Sequence, residues 1–181
     1  MTLYINCCVR ETSRTDKIAK ALLKKRGNAY TEVYLPSENL QPLTAERLKK
    51  RTELIEKGDY SDEMFRYAKQ FAAADTVVIA APYWDLSFPA LLKLYIENIY
   101  VTGIVSEYTA DGTPQGLCRA TELIYITTAG GPYVPDFSFG YLKELAEKYL
   151  GIPKTRLIKA EMLDVDGFDA DAIVAKVIDE L

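Results

Sequence analysis

Residues 77–81, Val-Val-Ile-Ala-Ala, form an apolar run that has no polar face. A strand of this kind must be covered on both sides, as in a parallel sheet that is flanked by helices. Pro82 follows directly, and because proline lacks the N–H group that a central strand needs, the strand ends there. Pro89 suits the first turn of a helix that carries Leu91 and Leu92. This stretch therefore predicts a strand–loop–helix unit of an α/β fold.

Four other apolar strands alternate with amphipathic helices along the chain. Their predicted ranges are 3–9, 30–35, 122–128 and 156–162. The alternation predicts an α/β fold, a doubly wound parallel five-stranded sheet that is covered on both sides, and a single domain over residues 1–181. The natural strand order is 2-1-3-4-5. In that order the loops after strands one, three and four meet at the carboxyl edge, where such sheets bind ligands.

Capping residues mark most of the predicted helix starts. Ser13 is expected to cap the first helix, with Asp16 closing a capping box three residues later. Later helices are expected to begin at Thr44, Ser61 and Asp169. Another helix is predicted over residues 139–150, and the Asp-Gly pair at 111–112 predicts a turn between short extended pieces, as in a small hairpin.

The loop after the first strand carries the groups of an anion site at the start of a helix. Arg10, Ser13, Arg14 and Thr15 supply two guanidinium groups and two hydroxyls, and the free N–H groups of a helix start favour negative charge. A plain helix cap at Ser13 is the simpler interpretation, and Asp16 would repel a dianion unless its carboxylate points away. The sequence contains neither G-x-G-x-x-G nor G-x-x-x-x-G-K-[ST], which counts against dinucleotide Rossmann and P-loop sites.

The loops after the third and fourth strands carry groups that suit a flat ring. Tyr83, Trp84, Asp85 and Leu86 place two large aromatic rings and a carboxylate after the third strand. Residues 128–131, Thr-Ala-Gly-Gly, end the fourth strand; their glycines let backbone N–H groups approach a ligand, although they also suit an ordinary tight turn. The three loops together favour a mononucleotide with a large heteroaromatic ring, and FMN fits best.

The composition excludes several other classes of function. The chain contains no histidine, so His-based triads and His-ligated metals are excluded, and a cofactor is the simplest source of reactivity. Cys7, Cys8 and Cys118 lack the spacing of a zinc site; Cys7 and Cys8 are expected to be buried thiols on opposite faces of a strand. We therefore expect no metal. A net charge of −4 counts against a nucleic-acid partner.

The beginning of the sequence leads directly into a strand rather than a signal segment, and no apolar run is long enough to span a bilayer. These patterns predict a cytoplasmic protein with no membrane partner.

Three motifs, in order along the chain, resemble those of the flavodoxin-like NAD(P)H oxidoreductase family, in particular the bacterial FMN-dependent NADH-azoreductases and their quinone-reductase relatives. Residues 81–89, A-P-Y-W-D-L-S-F-P, resemble the family's A-P-M-Y-N-F-N-I-P. Residues 102–117 resemble A-G-x-T-F-x-Y-T-x-x-G-P-x-G-L, and residues 127–131, T-T-A-G-G, resemble T-S-R-G-G. The resemblance covers most of the chain and implies a flavodoxin-like fold.

This resemblance implies three groups of FMN-binding residues. Those for the phosphate are Ser13, Arg14 and Thr15, with Arg10 close by; those that line the ring are Pro82, Tyr83, Trp84, Asp85 and Leu86; those at its polar edge are Thr128, Ala129, Gly130 and Gly131. The family forms homodimers with the flavin at the interface. A homodimer is therefore expected here, with the helix after Pro89 and the region of Glu107 facing the partner.

Three residues depart from the family's motifs. Asp85 replaces an Asn, Ala129 replaces an Arg, and Trp84 replaces a Tyr. A carboxylate near the flavin would disfavour an anionic reduced ring unless it is protonated or turned away. We therefore expect the substrate preference to differ from that of the typical azoreductases, and the effect on the redox potential stays open.

The resemblance implies an oxidoreductase that takes hydride from NADH or NADPH at flavin N5 and then reduces a quinone or azo acceptor, in a ping-pong cycle. The flavin is the reactive centre, so no catalytic side chain is expected. Tyr83, Trp84, Tyr108 and Tyr133 are candidates for stacking on the nicotinamide or the acceptor, with ordinary packing as the alternative. A second interpretation is a flavodoxin-type electron carrier that binds FMN but turns over no small substrate. A receiver-like domain is disfavoured, because the acidic residues that it needs after strands one and three are missing.

Overall fold

A computed structural model describes residues 1–27 and 29–181. Five parallel strands form one sheet in the order β2-β1-β3-β6-β7. These strands are β1 (Thr2–Asn6), β2 (Tyr30–Tyr34), β3 (Thr76–Ala80), β6 (Glu122–Thr128) and β7 (Lys154–Ala160). The remaining two, β4 (Ser106–Tyr108) and β5 (Pro114–Gly116), pair as an antiparallel hairpin outside the sheet, where a turn was predicted. Counted without the hairpin, the strand order is 2-1-3-4-5, and this prediction is confirmed.

Over the part of the chain that the structure describes, six α-helices cover the sheet. They are α1 (Arg14–Arg26), α2 (Ala45–Glu56), α3 (Arg66–Ala72), α4 (Ala90–Ile99), α5 (Tyr141–Glu144) and α6 (Ala170–Asp179). Short 3₁₀ turns occupy Leu35–Ser37 and Glu63–Phe65. The helix predicted over 139–150 is α5 with π-helical stretches on each side, Asp136–Gly140 and Leu145–Tyr149. Within the described ranges, no helix combines the length and the apolar character that crossing a membrane requires.

Each face of the sheet buries its own apolar cluster, because neighbouring side chains of a strand point to opposite faces. Leu3 and Ile5 pack with side chains of α3, α4 and α5, whereas Tyr4 packs with side chains of α1 and α6. Cys7 and Cys8 are buried in opposite clusters, as predicted. They lie beyond the end of β1, although the N–H of Cys7 still donates to the carbonyl of Ala80 at 2.8 Å.

Four predicted strands extend too far: those over 30–35 and 77–81 by one residue, because β2 ends at Tyr34 and β3 at Ala80, and two others by more. Residues 3–9 were predicted as a strand, but β1 ends at Asn6, whose side-chain oxygen accepts the N–H of Cys8 at 2.9 Å and so turns the chain out of the sheet. Residues 156–162 were also predicted, but β7 begins at Lys154, opposite Glu122, and ends at Ala160. Met162 has a φ of 65°, which is incompatible with a continued strand.

The three predicted helix caps are correct. The side chains of Ser13, Thr44 and Asp169 each accept a backbone N–H at a helix start. The helix predicted to begin at Ser61 begins later, since Asp62 accepts the N–H of Met64 and a 3₁₀ turn precedes α3. Pro89 lies at the cap position of α4 rather than inside its first turn.

Candidate functional site

A cleft of about 430 Å³ opens at the carboxyl edge of the sheet, between the loops that follow β1, β3, β6 and β7. Ten of the residues predicted for a ligand site line it: Arg10, Ser13, Arg14, Thr15, Pro82, Tyr83, Trp84, Thr128, Ala129 and Gly130. Five further residues in its lining were not predicted as site residues: Cys8, Val9, Thr12, Leu163 and Asp164. The volume is in the range of ordinary small-molecule sites.

The predicted capping box at the start of α1 is wrong in one half. The hydroxyl of Ser13 accepts the N–H of Asp16 at 3.3 Å, but the carboxylate of Asp16 does not return to Ser13. It accepts instead from the hydroxyl of Tyr4 at 2.7 Å, from the amide of Asn6 at 3.2 Å and from the ammonium of Lys20 at 2.7 Å. Asp16 therefore points away from the cleft, and its carboxylate does not block an anion at the helix start.

The hydroxyl of Tyr4 is the donor from the protein interior to the carboxylate of Asp16. Burial, together with the hydrogen bond to Asp16, raises the pKa of Tyr4, so its hydroxyl remains a neutral donor to that carboxylate. Tyr4 and Asn6, both in β1, thus hold the carboxylate of Asp16 on the side of α1 that faces this strand.

The loops after β1 and β6 meet through two threonine hydroxyls. Thr15 Oγ1 and Thr128 Oγ1 lie 2.6 Å apart, which is a hydrogen bond between the first turn of α1 and the end of β6. Thr15 is buried and Thr128 is half-buried. This bond fixes the helix start, with its free N–H groups, against the strand end from which the glycine loop departs.

The loop after β7 forms the wall of the cleft opposite the first loop. Its backbone pairs with the loop after β6, since the N–H of Leu163 donates to the carbonyl of Ala129 at 3.2 Å and that of Asp164 to the carbonyl of Gly130 at 2.9 Å. The guanidinium of Arg14 donates to Asp164 Oδ1 at 3.0 Å. A Cβ at Gly130 would lie 2.6 Å from Asp164 Oδ2, so a larger residue there would displace this carboxylate.

Residues 84–87 form a tight turn above the cleft. Trp84 and Ser87 exchange backbone hydrogen bonds of 3.0 and 2.8 Å, and the two central residues, Asp85 and Leu86, have φ angles of 50° and 67°. These are the angles of a type I′ turn, and a leucine there is strained. Trp84 faces the cleft, whereas Asp85 and Leu86 are exposed at the tip and are not part of the lining.

Tyr133 supports the cleft from behind without lining it. Its ring meets that of Tyr83 edge to face, with centroids 4.8 Å apart, and its hydroxyl lies 2.9 Å from the hydroxyl of Ser138. The segment that follows Tyr133 is also bound to the loop after β3, because Ser87 Oγ donates to the carbonyl of Phe137 at 2.7 Å. Tyr133 therefore holds Tyr83 in place rather than offering its own face to a ligand.

The structure places two other predicted residues outside the cleft. Tyr108, a candidate for stacking, lies in the β4–β5 hairpin with its hydroxyl 3.3 Å from that of Tyr100. Gly131 is not part of the lining; its carbonyl accepts the N–H of Met162 at 3.1 Å. Burial, helped by the contact with Tyr108, raises the pKa of Tyr100 to about 12, so the hydroxyl of Tyr100 stays neutral near neutral pH.

Cys8 is the thiol that reaches the cleft. Burial raises the pKa of Cys8 to about 11, so the thiol stays protonated near neutral pH and is a poor nucleophile. In the described part of the chain, no group of three or more Cys, Asp or Glu side chains has the arrangement of a metal site.

A doubly wound parallel sheet with a cleft at the carboxyl ends of β1, β3 and β6 defines the flavodoxin-like class of α/β proteins. The chain belongs to the Flavodoxin_2 family, which is described as having a flavodoxin-like fold and which matches residues 1–181.

Two relatives in this family are similar over nearly their full lengths. FMN-dependent NADH:quinone oxidoreductase 2 of Clostridium acetobutylicum is 36% identical over 192 residues, covering 98% of this chain and 94% of the relative. FMN-dependent NADH:quinone oxidoreductase of Lachnoclostridium phytofermentans is 34% identical over 182 residues, covering 95% and 91%.

Solved structures show the same fold. Azoreductase of Bacillus anthracis has a TM-score of 0.83 at 23% identity, covering 99% of this chain and 95% of that one. An FMN-dependent NADH-azoreductase of the same species, in complex with FMN, has a TM-score of 0.79 at 24% identity, covering 99% and 94%. At these identities the likeness concerns the fold.

Proposed function

We propose that this chain is an FMN-dependent NADH:quinone oxidoreductase and that the cleft at the carboxyl edge holds the flavin. The observation that carries the proposal is the cleft's polarity: guanidinium groups, hydroxyls and a helix start form one end, and Tyr83 and Trp84 form the other. A nucleotide with a charged phosphate and a flat ring requires both ends. The names of the relatives over 30% identical support the same activity.

The described residues fit FMN at its phosphate end. The N–H groups of the first turn of α1, the hydroxyl of Ser13 and the guanidinium groups of Arg10 and Arg14 would hold the phosphate. The carboxylate of Asp16 points the other way, so it does not oppose the phosphate at short range.

At the other end of the cleft, Pro82, Tyr83 and Trp84 would lie along the ring, and Ala129 and Gly130 would meet its polar edge. When bound, FMN would supply two-electron redox chemistry between NADH and a quinone or azo acceptor. The chain's own groups would bind the flavin and orient its ring. Trp84, which is 40% exposed at the mouth of the cleft, offers its ring face to the nicotinamide or the acceptor.

The relatives' names favour an enzyme over a plain electron carrier, and a direct experiment separates the two. The purified protein is mixed with FMN, its absorption spectrum is recorded, and NADH is added with and without menadione. An oxidoreductase would bleach on NADH addition and oxidise NADH continuously with menadione. A protein that binds FMN but shows almost no turnover would be a carrier, and one that stays colourless with FMN would contradict the flavin site.

We also propose that residues 1–181 form one domain and that the protein is a cytoplasmic homodimer. The free thiols Cys7, Cys8 and Cys118 suit a reducing compartment. Apolar side chains exposed near the cleft mouth support association, in particular Val9, Leu86 and Phe137. Size-exclusion chromatography with light scattering at several concentrations tests the oligomeric state; a monomer throughout would contradict the dimer.

A further inference from the structure

One cation of the cleft is already held by a carboxylate. Arg14 Nη1 donates to Asp164 Oδ1 at 3.0 Å and makes a longer contact of 3.5 Å with the carbonyl of Leu163. Arg14 lies in the first turn of α1, whereas Asp164 is in the loop after β7, 150 positions later. Both residues line the cleft, so the pair lies where a phosphate at the start of α1 would meet Arg14.

The backbone fixes the position of Asp164. Its N–H donates to the carbonyl of Gly130 at 2.9 Å, and its carboxylate lies against Gly130 where any larger residue would collide with it. The side chain of Asp164 is nevertheless 68% exposed, so the carboxylate stays hydrated. Asp164 is thus a fixed, solvated negative charge at the edge of a cleft whose other end is aromatic.

We propose that Asp164 weakens the preference of this cleft for a phosphorylated flavin by competing with the phosphate for Arg14. The inference rests on the proposed function and extends it to a residue that determines ligand specificity. A dianionic phosphate at the helix start draws the guanidinium away from Asp164 or shares it, and in either case the nearby carboxylate repels the dianion. FMN is therefore held less tightly than the cations of the cleft alone would allow, and it exchanges with free FMN.

The test compares FMN with riboflavin, which has the same ring and ribityl chain but no phosphate. Dissociation constants are measured by fluorescence quenching for the wild type and for Asp164→Asn. The substitution removes the charge and keeps one side-chain oxygen that can accept from Arg14, while an amide NH2 group replaces the other oxygen. We expect FMN to bind about two- to fivefold tighter to Asp164→Asn, the range for an exposed charge pair, and riboflavin to bind equally well.

Asp166→Asn is the matched control. Asp166 is exposed in the same loop, two residues further on, and is not part of the cleft lining, so its removal changes net charge equally without touching Arg14. The FMN affinity of this variant should stay at the wild-type value. The gain in Asp164→Asn should shrink as salt is added, because both charges are exposed to solvent.

Three results would overturn the inference while leaving the proposed function intact. One is an FMN affinity that Asp164→Asn leaves unchanged or weakens. Another is an equal change for riboflavin, which would assign Asp164 to the ribityl chain. The third is a gain of the same size in an Arg14→Gln background, which would exclude competition for Arg14. Failure of the wild type to bind FMN at all would instead contradict the proposed function and this inference together.

Discussion

The hydroxyl oxygens of Thr15 and Thr128 lie 2.6 Å apart and join the start of α1 to the carboxyl end of β6. The two residues are 113 positions apart in the sequence, and the loops that they anchor both line one cleft. One of the contacts that set the geometry of the candidate flavin site therefore joins two elements from distant parts of the chain.

Replacing either threonine of this pair by valine should lower stability by about 1 kcal/mol, because the remaining hydroxyl loses its partner in a largely buried position. The double variant Thr15→Val/Thr128→Val should lose less than the sum of the two single variants. Urea denaturation of all four proteins measures the coupling. Strictly additive losses would contradict a direct hydrogen bond between the two hydroxyls.

Ser13→Ala should have two effects that a second helix cap can separate. The hydroxyl of Ser13 accepts the N–H of Asp16 at 3.3 Å, and that of Thr44 accepts the N–H of Arg47 at the same distance at the start of α2. Ser13→Ala and Thr44→Ala should each cost about 1 kcal/mol of unfolding free energy. Only Ser13→Ala should also weaken FMN binding, measured by titration of the folded proteins. Equal FMN affinity in the two variants would remove Ser13 from the phosphate site.

Replacing Leu86 by glycine should raise the stability of the folded protein, because Leu86 has a φ of 67° and is 57% exposed. An L-residue in this left-handed region is strained by about 1–2 kcal/mol, whereas glycine is not. Leu86→Gly should therefore be more stable than Leu86→Ala by about 1 kcal/mol, since alanine keeps the strain. Thermal and urea unfolding measure the difference. Equal stability of the two variants would mean that residue 86 does not hold this angle in solution.

Trp84→Ala should raise the KM for menadione by about two- to tenfold, since an aromatic contact contributes about 0.5–1.5 kcal/mol. Phe168→Ala is the control, because Phe168 is an aromatic side chain that is 52% exposed but is not part of the cleft lining. Steady-state rates at saturating NADH give the KM for menadione of each variant. A KM that rises equally in both variants would indicate a general effect rather than stacking at Trp84.

Glu122 should contribute stability that depends on pH. Burial alone raises its pKa, but hydrogen bonds from Lys154 and Arg26 outweigh burial, so the pKa of Glu122 is lower than the ordinary value of 4.5. A carboxyl with a depressed pKa in the folded state stabilises the protein above its unfolded pKa, and this contribution is lost as the pH falls through the folded pKa.

The Glu122→Gln variant should therefore show a smaller loss of stability than the wild type as the pH falls below about 4.5. Urea denaturation over a series of pH values measures this, with Glu180→Gln, an exposed carboxyl at the end of the chain, as the control. If the stability curves of Glu122→Gln and the wild type run parallel through the acid range, the assignment to Glu122 is wrong.

The sequence patterns predicted the strand order and the loops at the carboxyl edge because those features follow from local signals. Apolar strands, capping side chains and glycines act within a few residues of themselves, and parallel connectivity then brings the loop ends together. Ten of the predicted site residues accordingly line one cleft.

What the patterns missed depends on contacts between distant residues. Asp16 was expected to close a capping box, but Tyr4 and Lys20 bind its carboxylate instead. Asp164 was not predicted as a site residue, because its place beside Arg14 follows from the pairing of the loops after β6 and β7. One signal was available: the fifth strand neighbours the fourth in the predicted order, so its loop had to border the glycine loop.

The hydrogen bond from Ser87 to the carbonyl of Phe137 joins two surface loops that are 50 positions apart. Loops held together in this way open as one cooperative unit rather than independently. A ring that rests only on the turn of residues 84–87 would therefore slow amide hydrogen exchange in the segment around Phe137 as well. The two loops therefore open together, and a ligand that contacts one of them stabilises both.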